Sequence, residues 1–206
     1  MIKYSYKNMK KVIIATHNKG KLNEYKEMLS NLDFECISLY NLNYFTEIEE
    51  TGNTFSENSM IKAKTIYDLF KMPVIADDSG LEVDALDGAP SVHSHRFASD
   101  NATDKENRDK VVELLKEKGL KESKAHFTCL ITYIDKDRTI QAEGRVDGLI
   151  ILDERGSNGF GYDPIFYYPP YKKTVAEMSD EEKNSISHRH NAIVNLKKEL
   201  KKIWKR

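Results

Sequence analysis

Thr16-His17-Asn18-Lys19-Gly20-Lys21 follows a short apolar run, Lys11 to Ala15, and precedes a segment with helical spacing. A strand turning into a helix N-terminus presents free backbone N–H groups and the positive end of the helix dipole. The Thr16 hydroxyl, the Asn18 amide and the Lys19 and Lys21 ammonium groups add donors and charge. Such a segment can cradle a polyphosphate. It is not a Walker A loop, because the Gly-x4-Gly-Lys-Ser/Thr spacing is absent. The plainer alternative is an N-cap asparagine with solvated lysines, and on this segment alone both readings stand.

Asp77-Asp78-Ser79-Gly80 follows Val74-Ile-Ala76, which reads as a short strand ending in acids. Ligands of open α/β sheets collect at the carboxyl ends of strands. Adjacent carboxylates repel unless a cation joins them, and Mg²⁺ takes oxygen ligands. Glu49 and Glu50, on the polar stretch 40–53, could complete such a site. The alternative is a turn capped by Asp and Ser with two solvated glutamates; the acid pair behind an apolar strand favours metal.

Two further segments carry donors or an aromatic face. In Ser157-Asn-Gly-Phe160-Gly161-Tyr162-Asp163 the glycines let backbone approach a ligand, and Phe160 can stack on a base. Taken alone, a hairpin turn with a core phenylalanine explains it better. Lys183 and Ser187-His188-Arg189 offer donors suited to a carbonyl oxygen or a phosphate, or else plain surface charge. His93 and His95 lack a third zinc ligand at a recognised spacing. No Gly-x-Ser-x-Gly elbow supports a Ser–His–Asp triad.

The elements that must position these groups alternate. Strand-like runs fall at 11–16, 34–39 and 74–77, and a hairpin at 127–134 and 139–152 turns at Asp135-Lys-Asp-Arg138. Helical spacing appears at Leu22, Tyr25, Leu29 and Leu32; at Ala63, Ile66, Tyr67 and Phe70; at Val111, Val112 and Leu115; and at Ile193, Leu196, Leu200 and Ile203. Capping boxes at Thr54-x-x-Glu57, Thr103-x-x-Glu106 and Ser179-x-x-Glu182 open three helices. That order predicts an α/β fold with a mixed sheet. No linker is evident, and 97–102 is the best candidate for a lobe boundary. Residues 1–10 read as a polar extension without the apolar region of a signal peptide.

The chain has 206 residues, 32 Lys and Arg against 33 Asp and Glu, and a net charge of −1. That balance argues against a protein held mainly to nucleic-acid phosphates. No apolar stretch approaches the roughly 18 to 20 residues of a membrane span. Cys36 and Cys129 each lie in a strand-like run, so buried thiols in a reducing cytosol are expected.

These segments, in this order, resemble the inosine triphosphate pyrophosphatase family of bacterial type, from about Val12 to the final helix. The resemblance is carried by Thr16-x-Asn18-x-Gly-Lys21, Glu49-Glu-Thr-Gly-x-Thr-Phe55 with Glu57-Asn58, and Ala76-Asp-Asp-Ser-Gly-Leu81. Gly88-Ala-Pro90, Phe160-Gly-Tyr-Asp-Pro-Ile-Phe166, Ser179-x-Glu-Glu-Lys183 and Ile186-Ser-His-Arg189 complete it. The resemblance implies a long mixed sheet flanked by helices, two lobes with a deep active-site cleft, and a cytosolic homodimer. It implies Mg²⁺-dependent hydrolysis of deaminated purine nucleoside triphosphates to monophosphate and pyrophosphate. Thr16 to Lys21 would bind the triphosphate. Asp78 would be metal ligand and proton acceptor, supported by Asp77 and by Glu49 or Glu50. Ser79 would touch the substrate, while Phe160 to Asp163, Lys183, His188 and Arg189 would hold the nucleotide and read its base.

The chain departs from the family pattern in a few places. His17 and Ser59 replace small residues, and Ser91 with His93-Ser-His-Arg-Phe97 replaces a Gly and a Tyr-Ser-Ala-Arg-Tyr run, Arg96 being retained. Two other readings compete: a septum-inhibitor-type pyrophosphatase acting on modified pyrimidines, against which the Ser-His-Arg segment counts, and a nucleotide-binding regulator without turnover, which the acid pair disfavours.

Overall fold

The computed structural model describes residues 10–30 and 34–204, the side chains of 203 and 204 excepted. Leu32, the side chain of Ile203 and positions 1–9 of the polar extension lie outside the described residues. The first apolar run forms β1 (Lys10–Ile14), with Val12, Ile13 and Ile14 buried. Its β-branched residues suit a strand covered on both faces. Helix α1 (Lys19–Leu29) buries Leu22, Tyr25 and Leu29 on one stripe and leads to β2 (Phe34–Ser38). Helix α2 (Phe55–Phe70) opens on the complete Thr54–Glu57 capping box and leads to β3 (Val74–Val83). Both β2 and β3 pair with β1 in parallel.

Helix α3 (Asp104–Glu117) likewise opens on its full Thr103–Glu106 box. Strands β4 (Glu122–Ile134) and β5 (Thr139–Ile151) follow, then the short β6 (Phe166–Tyr168) and β7 (Lys173–Thr174). Helices α4 (Asp180–Ile186) and α5 (His188–Trp204) complete the order. The strands form one seven-stranded sheet, β2-β1-β3-β4-β5-β6-β7, parallel at β2-β1-β3 and antiparallel at β5-β6-β7. The mixed α/β fold expected from the sequence is therefore present.

The chain divides into two compact units. The first is Met1–Asp78 with Leu130–Ala142 and Leu196–Arg206; the second is Ser79–Cys129 with Glu143–Asn195. In the first, Ile13, Leu39, Ala63, Ile66, Val74 and Ala76 form a buried core. In the second, Leu81, Val83, Val111, Leu115, Phe127 and Phe166 do so. The candidate boundary at 97–102 is not where the division falls, since those residues lie inside the second unit. The chain passes from unit to unit within β3, β4, β5 and α5, so no compositional break marks the change.

One element differs in extent. The sequence suggested a strand that stops at Asp77, but β3 runs ten residues to Val83 and carries both acids inside it. Leu81 and Val83 are wholly buried, and this alternation continues the strand past Gly80. Acids survive mid-strand because each has a cationic partner.

Candidate active site

Successive side chains of a strand leave opposite faces, and Asp77 and Asp78 accordingly meet different helices. Asp77 is 3% exposed and accepts from Lys21 Nζ of α1 at 2.9 Å. Asp78 meets α2: Asn58 Nδ2 donates to its Oδ2 at 3.1 Å, and Lys62 Nζ lies 3.3 Å from its Oδ1. Asn58 and Lys62 stand four residues apart, so one helix face delivers both. Lys62 also reaches Glu50 Oε1 at 3.1 Å and thus joins Glu50 to Asp78. The loop bearing Glu50 is fixed by Gly52 N, which donates to Asn58 Oδ1 at 2.8 Å.

The electrostatics follow from this burial. Burial raises the Glu50 carboxyl above its ordinary pKa, and the nearby Asp78 charge adds to the rise against the pull of Lys62. Burial alone would lower the Lys62 ammonium; the carboxylates of Asp78, Glu50 and Asp77 outweigh it and hold the group above its ordinary value. Glu49 is exposed and makes no ion pair or hydrogen bond among the described residues. Glu50 is thus the member of the pair that joins the acids.

The turn from β1 into α1 sits in the same unit. Asn18 is the N-cap, its Oδ1 accepting from Lys21 N at 3.0 Å, while Thr16 Oγ1 accepts from Asn18 N at 3.1 Å. Lys19 is exposed and Gly20 half-buried, but Lys21 is held on Asp77 rather than solvated. His17 packs its ring on Tyr44, its Nε2 lies 3.1 Å from the Tyr44 carbonyl, and Tyr40 donates to the His17 carbonyl at 2.9 Å. The histidine ties the helix entrance to residues 40–44.

A second cluster lies in the other unit. Asp163 is 6% exposed, and its Oδ2 accepts from Lys183 Nζ at 2.9 Å and from Phe160 N at 3.0 Å. Burial raises the Asp163 carboxyl, with the Lys183 charge opposing it. Lys183 Nζ stands 4.4 Å from the centre of the Phe160 ring, and the Arg189 guanidinium 5.5 Å from it. Such placement over an aromatic face is attractive. His188 stacks on Phe127 at 5.0 Å, and Phe127 packs on Phe166 at 4.5 Å. Tyr162 is buried, Gly161 half-buried, and Ser79 follows Asp78 half-buried in β3.

Phe160, Asp163, Lys183 and Arg189 therefore form one group, with His188 and Phe127 stacked in the same unit. A separate concavity of that unit, about 770 Å³, lies over Lys124, His126, Arg145 and Asp147. There Arg145 pairs with Asp147, and His126 lies against Glu82. His93 and His95 are exposed, and no group of three His, Cys, Asp or Glu able to hold a metal occurs among the described residues.

The sequence pattern alone assigns no role to Asn58 and does not single out Lys62 or Phe127. For Lys62 a signal was present. Phe55, Ser59, Lys62, Ala63 and Ile66 lie on the buried side of α2, so a lysine stands among inward positions. A lysine is almost never buried unless paired.

Fold and side chains define an α/β protein with paired acids and lysines on the parallel part of its sheet and a cation-covered aromatic ring in its second unit. The chain belongs to the Ham1 family, whose model matches residues 12–199. A dITP/XTP pyrophosphatase of Clostridium perfringens (strain 13 / Type A) is 47% identical over 204 residues, covering 96% of this chain and 100% of that one. Another from Bacillus anthracis is 45% identical over 196 residues, covering 93% and 96%. The solved HAM1 protein of Coxiella burnetii matches with a TM-score of 0.86 at 40% identity, covering 94% of this chain and 100% of that one.

Proposed function

We propose that the chain hydrolyses the deaminated purine nucleoside triphosphates ITP, dITP and XTP to the monophosphate and pyrophosphate. It is an enzyme of the nucleoside triphosphate pyrophosphatase class. The observation that carries the reading is the cluster in which buried Lys62 joins buried Asp78 to half-buried Glu50, beside the capped entrance of α1, in a chain whose relatives bear that activity in their names.

Glu50 and Asp78 would hold a divalent cation, with Asp77 in support. The donor set fits Mg²⁺, which binds through one or two carboxylates plus substrate phosphates and keeps several waters. When bound, the ion would neutralise charge building on the phosphate oxygens. Asp78 accepts the proton of the attacking water. Asn58 orients the Asp78 carboxylate through its second oxygen. Lys62 opposes the rise that burial imposes on the Glu50 carboxyl and pairs with Asp78. Lys19 and Lys21, with the N–H groups at the start of α1, stabilise the departing pyrophosphate.

For the base, Phe160 supplies a stacking face, and Lys183 and Arg189 supply donors above it. Arg189 only donates, so it pairs with a carbonyl oxygen at purine position 6 and meets an adenine amino group donor to donor. The family resemblance adds homodimeric assembly and a cytoplasmic location to this reading. No described helix is long and apolar enough to cross a membrane.

Pyrophosphate release from ITP, XTP and ATP, by the native chain and by Arg189→Ala, tests the proposal. Polar pairing of this kind discriminates by about 10⁴-fold, so ITP and XTP should far outrun ATP. Arg189→Ala should lower efficiency on ITP much more than on ATP. An equal loss on both would mean that Arg189 does not read the base, and absence of pyrophosphate from all three would remove the activity.

A further inference from the structure

The Phe160 ring rides on a loop with little stiffness of its own, since Gly159 and Gly161 have φ of +77° and +60°. Residues of α3 hold that loop. Gly161 N donates to Asp104 Oδ2 at 2.8 Å, and the Gly161 carbonyl accepts from Arg108 Nη1 at 2.7 Å. Asp104 and Arg108 are four residues apart and share a helix face. One helix therefore grips both backbone groups of the residue next to Phe160.

The grip is itself braced. Arg108 Nε and Nη2 also meet the two carboxylate oxygens of the partly exposed Glu154 at 3.0 and 3.4 Å. Tyr162, on the other side of Gly161, donates to the Ser94 carbonyl at 2.7 Å. Burial and the charge of Asp104 push its phenol well above the usual range, so it remains a donor. Asn107, also on α3, accepts from Ala98 N at 2.9 Å and donates to the His95 carbonyl at 3.0 Å.

We propose that Asp104 and Arg108 are positioning residues for purine recognition: by gripping Gly161 they set the Phe160 ring beneath Lys183 and Arg189. The inference rests on the reading of those three residues as base-binding. An exposed ion pair contributes little to stability, and Glu154 is 38% exposed at its side chain. The consequential bond of Arg108 is therefore the one to the Gly161 carbonyl.

Calorimetric titration with inosine monophosphate and, separately, with inorganic pyrophosphate tests this. Arg108→Ala should weaken the monophosphate about tenfold, raise KM for ITP to match, and change kcat and pyrophosphate affinity by less than about twofold. Arg108→Lys should recover part of the loss, since an ammonium still reaches the carbonyl. Glu154→Gln should leave monophosphate affinity near the native value. Asp104→Ala should reproduce the Arg108→Ala pattern, and decides the matter if the arginine variant does not fold. Equal weakening of both probes, or a Glu154→Gln effect as large as that of Arg108→Ala, would overturn the proposal by reducing Arg108 to a structural ion pair. A native chain that binds pyrophosphate but no inosine monophosphate would instead overturn the base-binding reading, and this inference with it.

Discussion

Asp78 lies 3.1 Å from Asn58 Nδ2 and 3.3 Å from Lys62 Nζ, and Glu50 draws on the same lysine. An amide in place of Asp78 keeps the shape but can neither accept a proton nor hold a cation as well. Asp78→Asn should therefore abolish turnover while far-ultraviolet dichroism and melting stay near native; near-normal turnover would remove Asp78 from the chemistry. Lys62 has a subtler role. Its charge lowers a Glu50 carboxyl that burial has already raised. In the proposed role Glu50 serves when ionised; loss of the lysine raises its pKa further and should move the acid limb of kcat/KM to higher pH. The pH profile of Lys62→Met should show that displacement, and a limb that stays or moves down would contradict it. The acid pair and the lysines of the α1 entrance were legible from residue type and order. The bond from Lys62 to Glu50 was not, because a lysine one turn beyond Asn58 gives no sign of which loop folds against it.

Helices were the most legible elements. Thr54, Thr103 and Ser179 each cap as their spacing predicts. A further box, Thr174 with Glu177, opens a short 3-10 turn. Strand β3 was cut short because Asp-Ser-Gly is ordinary turn chemistry, whereas here buried Leu81 and Val83 extend the strand. Packing also explains a glycine whose neighbours in sequence reveal nothing. A Cβ on Gly144 of β5 would overlap the His188 carbonyl and Ala192 N of α5. Gly144→Ala should push the start of α5 aside, at a cost of about 1–3 kcal/mol. Because that end carries His188 and Arg189, affinity for inosine monophosphate should fall together with the melting temperature. A variant with native melting and native affinity would show that the close approach is not needed.

At the scale of the whole molecule, the groups assigned to the triphosphate belong to the first unit, and those assigned to the base belong to the second. Sequence order alone could not separate them so, because three strands and one helix contribute to both units. The assignment commits the reaction to one phosphorus: acids at the α position, lysines on the departing pyrophosphate. Hydrolysis of ITP with Mg²⁺ in water enriched in heavy oxygen, followed by mass spectrometry of the products, tests this most directly. Attack at the α-phosphorus puts the label in inosine monophosphate and leaves the pyrophosphate unlabelled. Label in the pyrophosphate, or inosine diphosphate with labelled orthophosphate, would contradict it.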